Sequence, residues 1–288
     1  MSFSHFSNNK NTATNTTGTF GSDLIQSIQS CGKNAIDEQD RVVAVETAVS
    51  ILNNLPTVQD IHLKDASGRT ALWYAVDVGS AEMVDRLLQR GGQASDGDQE
   101  QWSTIHVSCD QGYALILSKL LQSQPSQHHI ETLIYSQTTG PQWTPMHLAV
   151  SNGHSKCCQQ LLLAGANVEA TTTDSYTPLL LCSTGTSNGH LSCARMLLDR
   201  GANADVIDPI DRETPLHKAC RCGTNEMAEL LLGYGATIQL DSQGFSPIAH
   251  ALARGFDWNI IVQRRERRQD VDEAIENGSL GGSTNKFK

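Results

Sequence analysis

The stretch ETPLHKACRCG, Glu213 to Gly223, holds a histidine, two cysteines two positions apart and a basic pair. Those are zinc-ligand types. Its meaning turns on whether it occurs once, and it does not. GRTALWYAV, QWSTIHVSC, QWTPMHLAV, SYTPLLLCS and GFSPIAHAL are relatives of it within the same chain, anchored on Thr70, Ser103, Thr144, Thr177, Thr214 and Ser246. The anchors are 33, 41, 33, 37 and 32 residues apart. A 33-residue unit with one insertion of eight and one of four accounts for all but the last interval.

Further positions keep step with the anchor. Two residues on lie Leu72, Ile105, Met146, Leu179, Leu216 and Ile248, and five on lie the small residues Ala75, Ser108, Ala149, Cys182, Ala219 and Ala251. Nine on lie Gly79, Gly112, Gly153, Gly223 and Gly255, with Gly189 after three inserted residues. Leucine pairs follow at 87–88, 120–121, 161–162, 197–198 and 231–232. The anchor hydroxyl suits a helix N-cap, and the proline after it in four of six units suits the first helical position. The glycine nine on suits a left-handed residue that ends a helix of about two turns. The leucines belong to a second helix. Helices this short are marginal alone, so each unit must bury its leucines against its neighbours, which predicts an all-α solenoid.

These motifs resemble the ankyrin-repeat family, whose 33-residue period and T-P-L-H-x-A motif they reproduce. RETPLHKACRCGTNEMAELLLGYGA is a nearly complete unit, and the resemblance spans roughly Asp37 to Val262. It implies paired antiparallel helices, hairpin-like loops between units and a concave face that binds other proteins. About six full units are expected, with a degenerate capping unit in RVVAVETAVSILNNLPTVQDIHL before them. FDWNIIVQRRERR reads as a C-terminal cap. Residues 1–22 and 264–288 read as a polar tail and a charged helix end with a flexible tail, leaving 23–263 for the repeats. The insertion near 122–142, with HHIETLIY inside it, is expected to add a short helical turn.

In such a frame the opening motif changes meaning. The resemblance gives His217 a structural hydrogen-bonding role, shared with His106 and His147. Cys220 occupies a slot filled elsewhere by Val76 and Val150, and residues two apart on a helix point to different sides. No metal is expected there, and no cofactor anywhere. Catalytic signatures such as GxxxxGK[ST] and HExxH are missing, so an enzyme is not expected.

Net charge is −10, which disfavours nucleic-acid or polybasic membrane binding, and no apolar run reaches 18 residues. Eight cysteines without a secretory leader read as reduced thiols in the cytoplasm, or also the nucleus. RRERR, Arg264 to Arg268, reads as a solvated helix end rather than an import signal.

The remaining signal is the residue before each anchor, which in the family faces the partner: Arg69, Trp102, Trp143, Tyr176, Glu213 and Phe245. Four of these six are aromatic, as interface anchors often are, although tryptophan at this place also packs on neighbouring loops. Asp77, Asp110, Asn152, Arg221 and Arg254 follow on the inner helix. With Asp98, Glu100, Asp174 and Asp211 in the hairpins, they imply a partner protein segment with apolar anchors and some basic residues, bound by a monomer. The leading expectation is an interaction scaffold or adaptor. One alternative is a substrate-recognition subunit of a ubiquitin ligase, whose last units RETPLHKACRCGTNEMAELLL and GFSPIAHALARG resemble. Against it, only a charged stretch and a Gly/Ser tail follow Val262, without a Leu-Pro-rich box. The other is a metal-binding or enzymatic protein using His128, His129 and Glu131 of the insertion.

Overall fold

The computed structural model describes residues 19–33, 47–48, 50–51, 61–222, 225–255 and 258. The capping stretch at 41–63 lies largely outside these residues, as do RRERR and most of both tails. Two compact units divide the chain, residues 1–99 and 100–288.

In the first unit, α1 (Thr19–Lys33) packs its buried Leu24, Ile25 and Ile28 against α2 (Ala71–Asp77), and α3 (Ala81–Gln89) packs on α2. Helix α1 starts inside the stretch whose composition reads as a tail. Thr70 caps α2 by accepting the Trp73 N–H at 3.3 Å, and Ser80 caps α3 by accepting that of Met83.

The second unit contains α4 (Thr104–Asp110), α5 (Ala114–Gln122), α6 (Gln127–Ile134), α7 (Pro145–Ser151), α8 (Ser155–Leu163), α9 (Pro178–Cys182), α10 (Asn188–Asp199), α11 (Pro215–Cys222), α12 (Asn225–Gly233) and α13 (Pro247–Ala253). Inner helices α4, α7, α9, α11 and α13 stack on one another, and outer helices α5, α8, α10 and α12 do the same. The small residue five past each anchor sits where inner helices meet, and Ala149, Ala219 and Ala251 are buried there. The first leucine of every pair, Leu120, Leu161, Leu197 and Leu231, is fully buried between helices. At roughly 1.5–3 kcal/mol per buried leucine, this ladder holds the short helices together.

Hairpins project between the helix pairs as fingers, joined by single backbone hydrogen bonds. Thr139 N–H donates to Glu100 O, Thr173 N–H to Pro141 O and Ser242 N–H to Asp211 O, at 2.9–3.0 Å. The finger carrying Pro209 breaks this pattern, because Ile210 N–H turns instead to Asp208 Oδ1 at 2.9 Å.

Three local features go beyond the repeat pattern. The insertion forms its expected helical turn as α6, which buries Leu133 and Ile134. It also ties down the end of the next outer helix, with Tyr135 Oη donating to Gly165 O at 2.8 Å. Gly189, expected to stop a helix, lies instead in the first turn of α10. A Cβ there would sit 2.1 Å from Gly153 O, so close approach of two backbones is what requires glycine.

The third feature is a row of strained residues. Two positions before the anchor the backbone is left-handed in every unit, but only Gly68 and Gly244 are glycines. Gln101, Gln142, Ser175 and Arg212 hold φ of 61°, 54°, 61° and 54°. A non-glycine residue there costs roughly 1–2 kcal/mol, part of which glycine would return as unfolded-chain entropy. Ser175→Gly is therefore expected to raise stability by about 0.5–1 kcal/mol, read as a higher urea midpoint at unchanged slope.

Candidate functional site

The motif histidines organise the base of each finger in the second unit. Thr144 N–H donates to His147 Nδ1 at 3.1 Å, and the Thr144 hydroxyl lies 2.8 Å from the same nitrogen. Since Nδ1 accepts, the proton is on Nε2, which donates to Ala170 O and Tyr176 O at 3.0 and 3.1 Å. His217 repeats this with Thr214 N–H at 3.1 Å and Phe245 O at 3.2 Å, and His106 does so with Ser103 and Ser136 O. Burial lowers the pKa of His147 to about 4 and also lowers that of His217, so both are neutral imidazoles. With both ring nitrogens engaged, His217 has none left for a metal. Burial likewise pushes the Cys220 thiol up to about 12 and that of Cys157 up to about 11. His217 and Cys220 of ETPLHKACRCG are therefore structural.

His147 and His217 thus fix carbonyls within the column, those of Tyr176 and Phe245. Trp102 and Trp143 are half-buried, their rings centred 6.3 Å from His106 and His147 respectively. Phe245 is 50% exposed and lies 6.0 Å from the His250 ring. In the first unit, Arg69 pairs with the buried Asp98 at 3.3 Å and stacks 4.1 Å over the Trp73 ring. Asp98, expected to add free negative charge, is therefore neutralised.

The inner-helix residues fall into small groups. Asp110 Oδ1 accepts from Asn152 Nδ2 at 3.1 Å, bringing two expected site residues together across successive units. Asp77 is half-buried at the end of α2, and Arg254 is exposed beyond α13.

Glu213 departs most from its expected setting. It is 5% exposed, and its carboxylate receives Arg221 at 3.0 Å and the buried Lys218 at 3.5 Å. Lys218 Nζ also pairs with the fully buried Asp208 at 2.7 Å and lies 5.3 Å from the Tyr176 ring centre. Burial pushes the Asp208 carboxyl up, but hydrogen bonds from Lys218 and Ile210 N–H outweigh it and hold the group below its ordinary value. Tyr176, Glu213 and Arg221 thus converge on one buried network whose centre, Lys218 with Asp208, the pattern did not single out. The signal was available: a lysine follows the motif histidine where His147 has Leu148.

A second histidine row was also missed. His154 Nε2 lies 3.0 Å from Asp110 O, and His190 Nε2 lies 3.0 Å from Ser151 O, each tying an outer-helix start to the inner-helix end of the preceding unit. Its sequence sign is the Gly-His pair at 153–154 and 189–190. In the insertion, His128 and His129 are exposed with rings 6.2 Å apart. Among the described residues they do not join a group of three metal-type ligand atoms, whereas Glu213, Asp241 and His250 do.

Stacked helix pairs with fingers between them and motif histidines locking each finger define a helical repeat solenoid. The chain belongs to the ankyrin-repeat family: the family model "Ankyrin repeats (3 copies)" matches residues 42–131, 125–208 and 185–261. It is 27% identical over 216 residues to human transient receptor potential cation channel subfamily A member 1, covering 74% of this chain and 19% of the channel. It is 32% identical over 101 residues to Bos taurus ankyrin repeat and SOCS box protein 3, covering 35% of this chain and 18% of that one. The matched segments span only about a fifth of either relative's length. Among solved structures, the human ASB11 ankyrin repeat domain superposes with a TM-score of 0.59 at 23% identity, covering 79% of this chain and 90% of that domain. Ankyrin repeats generally mediate protein–protein interaction. No helix among the described residues is long and apolar enough to cross a membrane.

Proposed function

We propose that the chain is an intracellular interaction adaptor that binds a partner polypeptide across the finger bases and inner helices of the second unit. The observation that carries this reading is the column of Trp102, Trp143 and Phe245. Large rings stay partly exposed there, on a backbone that the motif histidines hold rigid. Rigid, partly exposed aromatics lose little entropy on binding and form typical hot spots. The strained, exposed Gln101 and Gln142 directly precede two of these rings, and strain retained in a fold commonly marks a functional surface. Asn152 and Arg254 would contribute polar contacts at the rim. Glu213, Arg221 and Tyr176 act in this reading by supporting the surface from within.

The test is a quantitative pull-down of wild type against Trp102→Glu/Trp143→Glu/Phe245→Glu, after circular dichroism shows that the variant is folded. Tyr176 is left intact because it contacts the Lys218–Asp208 network. Selective loss of a partner by at least about 100-fold is expected, as for two or more hot spots. Equal capture of every partner by both proteins would sink the reading.

A second reading, substrate recognition for a ubiquitin ligase, draws support from the likeness to ankyrin repeat and SOCS box proteins. It requires that ligase components copurify with the chain and that the captured partner accumulate in cells when the chain is depleted. Copurification without accumulation, or neither, leaves the adaptor reading.

A further inference from the structure

Four residues past the anchor, a side chain reaches back to the aspartate that opens its own finger in three units. Tyr74 Oη donates to Asp65 at 2.6 Å, Lys218 Nζ to Asp208 at 2.7 Å, and His250 Nε2 lies 2.9 Å from Asp241 Oδ2. The last link alone joins two metal-ligand types, and there a third residue approaches. Glu213, from the preceding finger, places a ligand atom so that those of Glu213, Asp241 and His250 all lie within 4.8 Å of one another. The three side chains are only 6%, 5% and 21% exposed.

Other groups orient each of them. Asp241 Oδ1 accepts the N–H groups of Gln243 and Phe245, both at 2.8 Å, which leaves Oδ2 directed at His250. Arg221 and Lys218 hold Glu213 Oε2. The His250 ring is set edge-on to Phe245 and to His217, at 6.0 and 5.9 Å. Ligands held in place by a surrounding shell of hydrogen bonds and packing are characteristic of metal sites. Around the site three carboxylates, Asp208, Glu213 and Asp241, outnumber the side-chain cations Lys218 and Arg221.

We propose that Glu213, Asp241 and His250 form a binding site for a zinc-type divalent cation, with water as the fourth ligand. One imidazole with two carboxylates suits a borderline ion better than magnesium or calcium, which prefer oxygen alone. Zinc ligand atoms at about 2.0–2.2 Å from the metal lie roughly 3.3–3.6 Å apart in a tetrahedron, so the three atoms, now within 4.8 Å of one another, would draw together by up to about 1.5 Å on binding. His250 ligates through Nε2, with its proton moved to Nδ1.

The test uses the full chain, freed of metal with a chelator and titrated calorimetrically with zinc chloride. Cobalt(II) absorption serves as a second readout of tetrahedral nitrogen–oxygen coordination. Wild type is expected to bind one ion, with affinity falling at least about tenfold in His250→Gln and in Asp241→Asn. Both changes are close in shape, and asparagine keeps the oxygen that accepts the two backbone N–H groups, so at least one variant should fold. Absence of saturable one-to-one binding by wild type overturns the proposal. So does binding unchanged in whichever of the two variants is folded, or binding abolished by His128→Gln/His129→Gln instead, which would move the ion to the insertion. None of these outcomes depends on whether the aromatic column binds a partner.

Discussion

Lys218→Ala is expected to destabilise the second unit by about 3–5 kcal/mol, the range for removing one partner of a buried ion pair. The lysine side chain is 6% exposed, its principal partner Asp208 is fully buried, and Glu213 beside them is 6% exposed. Without the ammonium, Asp208 keeps the Ile210 N–H, and Glu213 keeps Arg221. Two carboxylates would nevertheless remain in a space that held their shared cation. The network also replaces the finger-to-finger backbone bond that Ile210 N–H does not make, so the loss should concentrate there. In a solenoid each unit is stabilised chiefly by its neighbours. Hydrogen exchange should therefore show α11 and α13 opening first, ahead of α4 and α7. Lys218→Met/Asp208→Asn separates the charge effect from packing: it removes both charges, keeps the volume and leaves an oxygen for Ile210 N–H. It is expected to recover most of the loss, because a buried pair replaced as a pair costs little. If the single variant unfolds at the same urea midpoint as wild type, the pair contributes nothing and the network is decorative.

The difference between Lys218 and its neighbours shows where sequence reading reaches and where it stops. The anchors, the small residue five on and the leucine pairs each answer to a local requirement: a capped helix start, a close helix contact, a buried outer face. Every unit meets these requirements alone, so they recur in register and identify the fold without any coordinates. The histidine role was legible for the same reason, because His147 and His217 bond within their own unit and to the next finger. Departures from the repeat depend on what lies opposite. Glu213 occupies a column slot whose other members are partly exposed, yet Lys218 and Arg221 enclose it. Gly189 keeps a glycine slot for a different reason, the nearness of Gly153 O. Gln101, Gln142, Ser175 and Arg212 conceal a left-handed backbone because nothing in those residue types announces it. Asp241 with His250 looks like an ordinary loop aspartate and helix histidine until Glu213 from the preceding finger arrives beside them. The approaches of Gly189 to Gly153 and of Glu213 to Asp241 and His250 are contacts between units, and a one-dimensional period carries no information about them.

The motif histidines make the fold sensitive to acid. His147 has a pKa of about 4 in the folded chain, against an ordinary value near 6.5, because burial penalises the imidazolium. The hydrogen-bond pattern points in the same direction: Nδ1 accepts from Thr144 N–H, and a proton placed on it would face that donor. Between pH 6.5 and pH 4 the unfolded chain binds a proton at this residue that the folded chain does not. Its contribution is therefore complete above pH 6.5 and is lost as pH falls. From His147 alone the loss is about 2 kcal/mol by pH 5 and about 3 kcal/mol by pH 4. His217, whose pKa is also lowered chiefly by burial, adds to the loss with the same sign. The measurement is unfolding free energy by urea at pH 7, 6 and 5, for wild type and for His147→Gln. Glutamine can accept from Thr144 and donate toward Ala170 without titrating. The variant is expected to start less stable at pH 7 but to lose about 2 kcal/mol less than wild type on the way to pH 5. Parallel pH profiles for the two proteins would mean that His147 takes up its proton in the folded chain, and that its ring nitrogens are not committed as the Thr144, Ala170 and Tyr176 distances require.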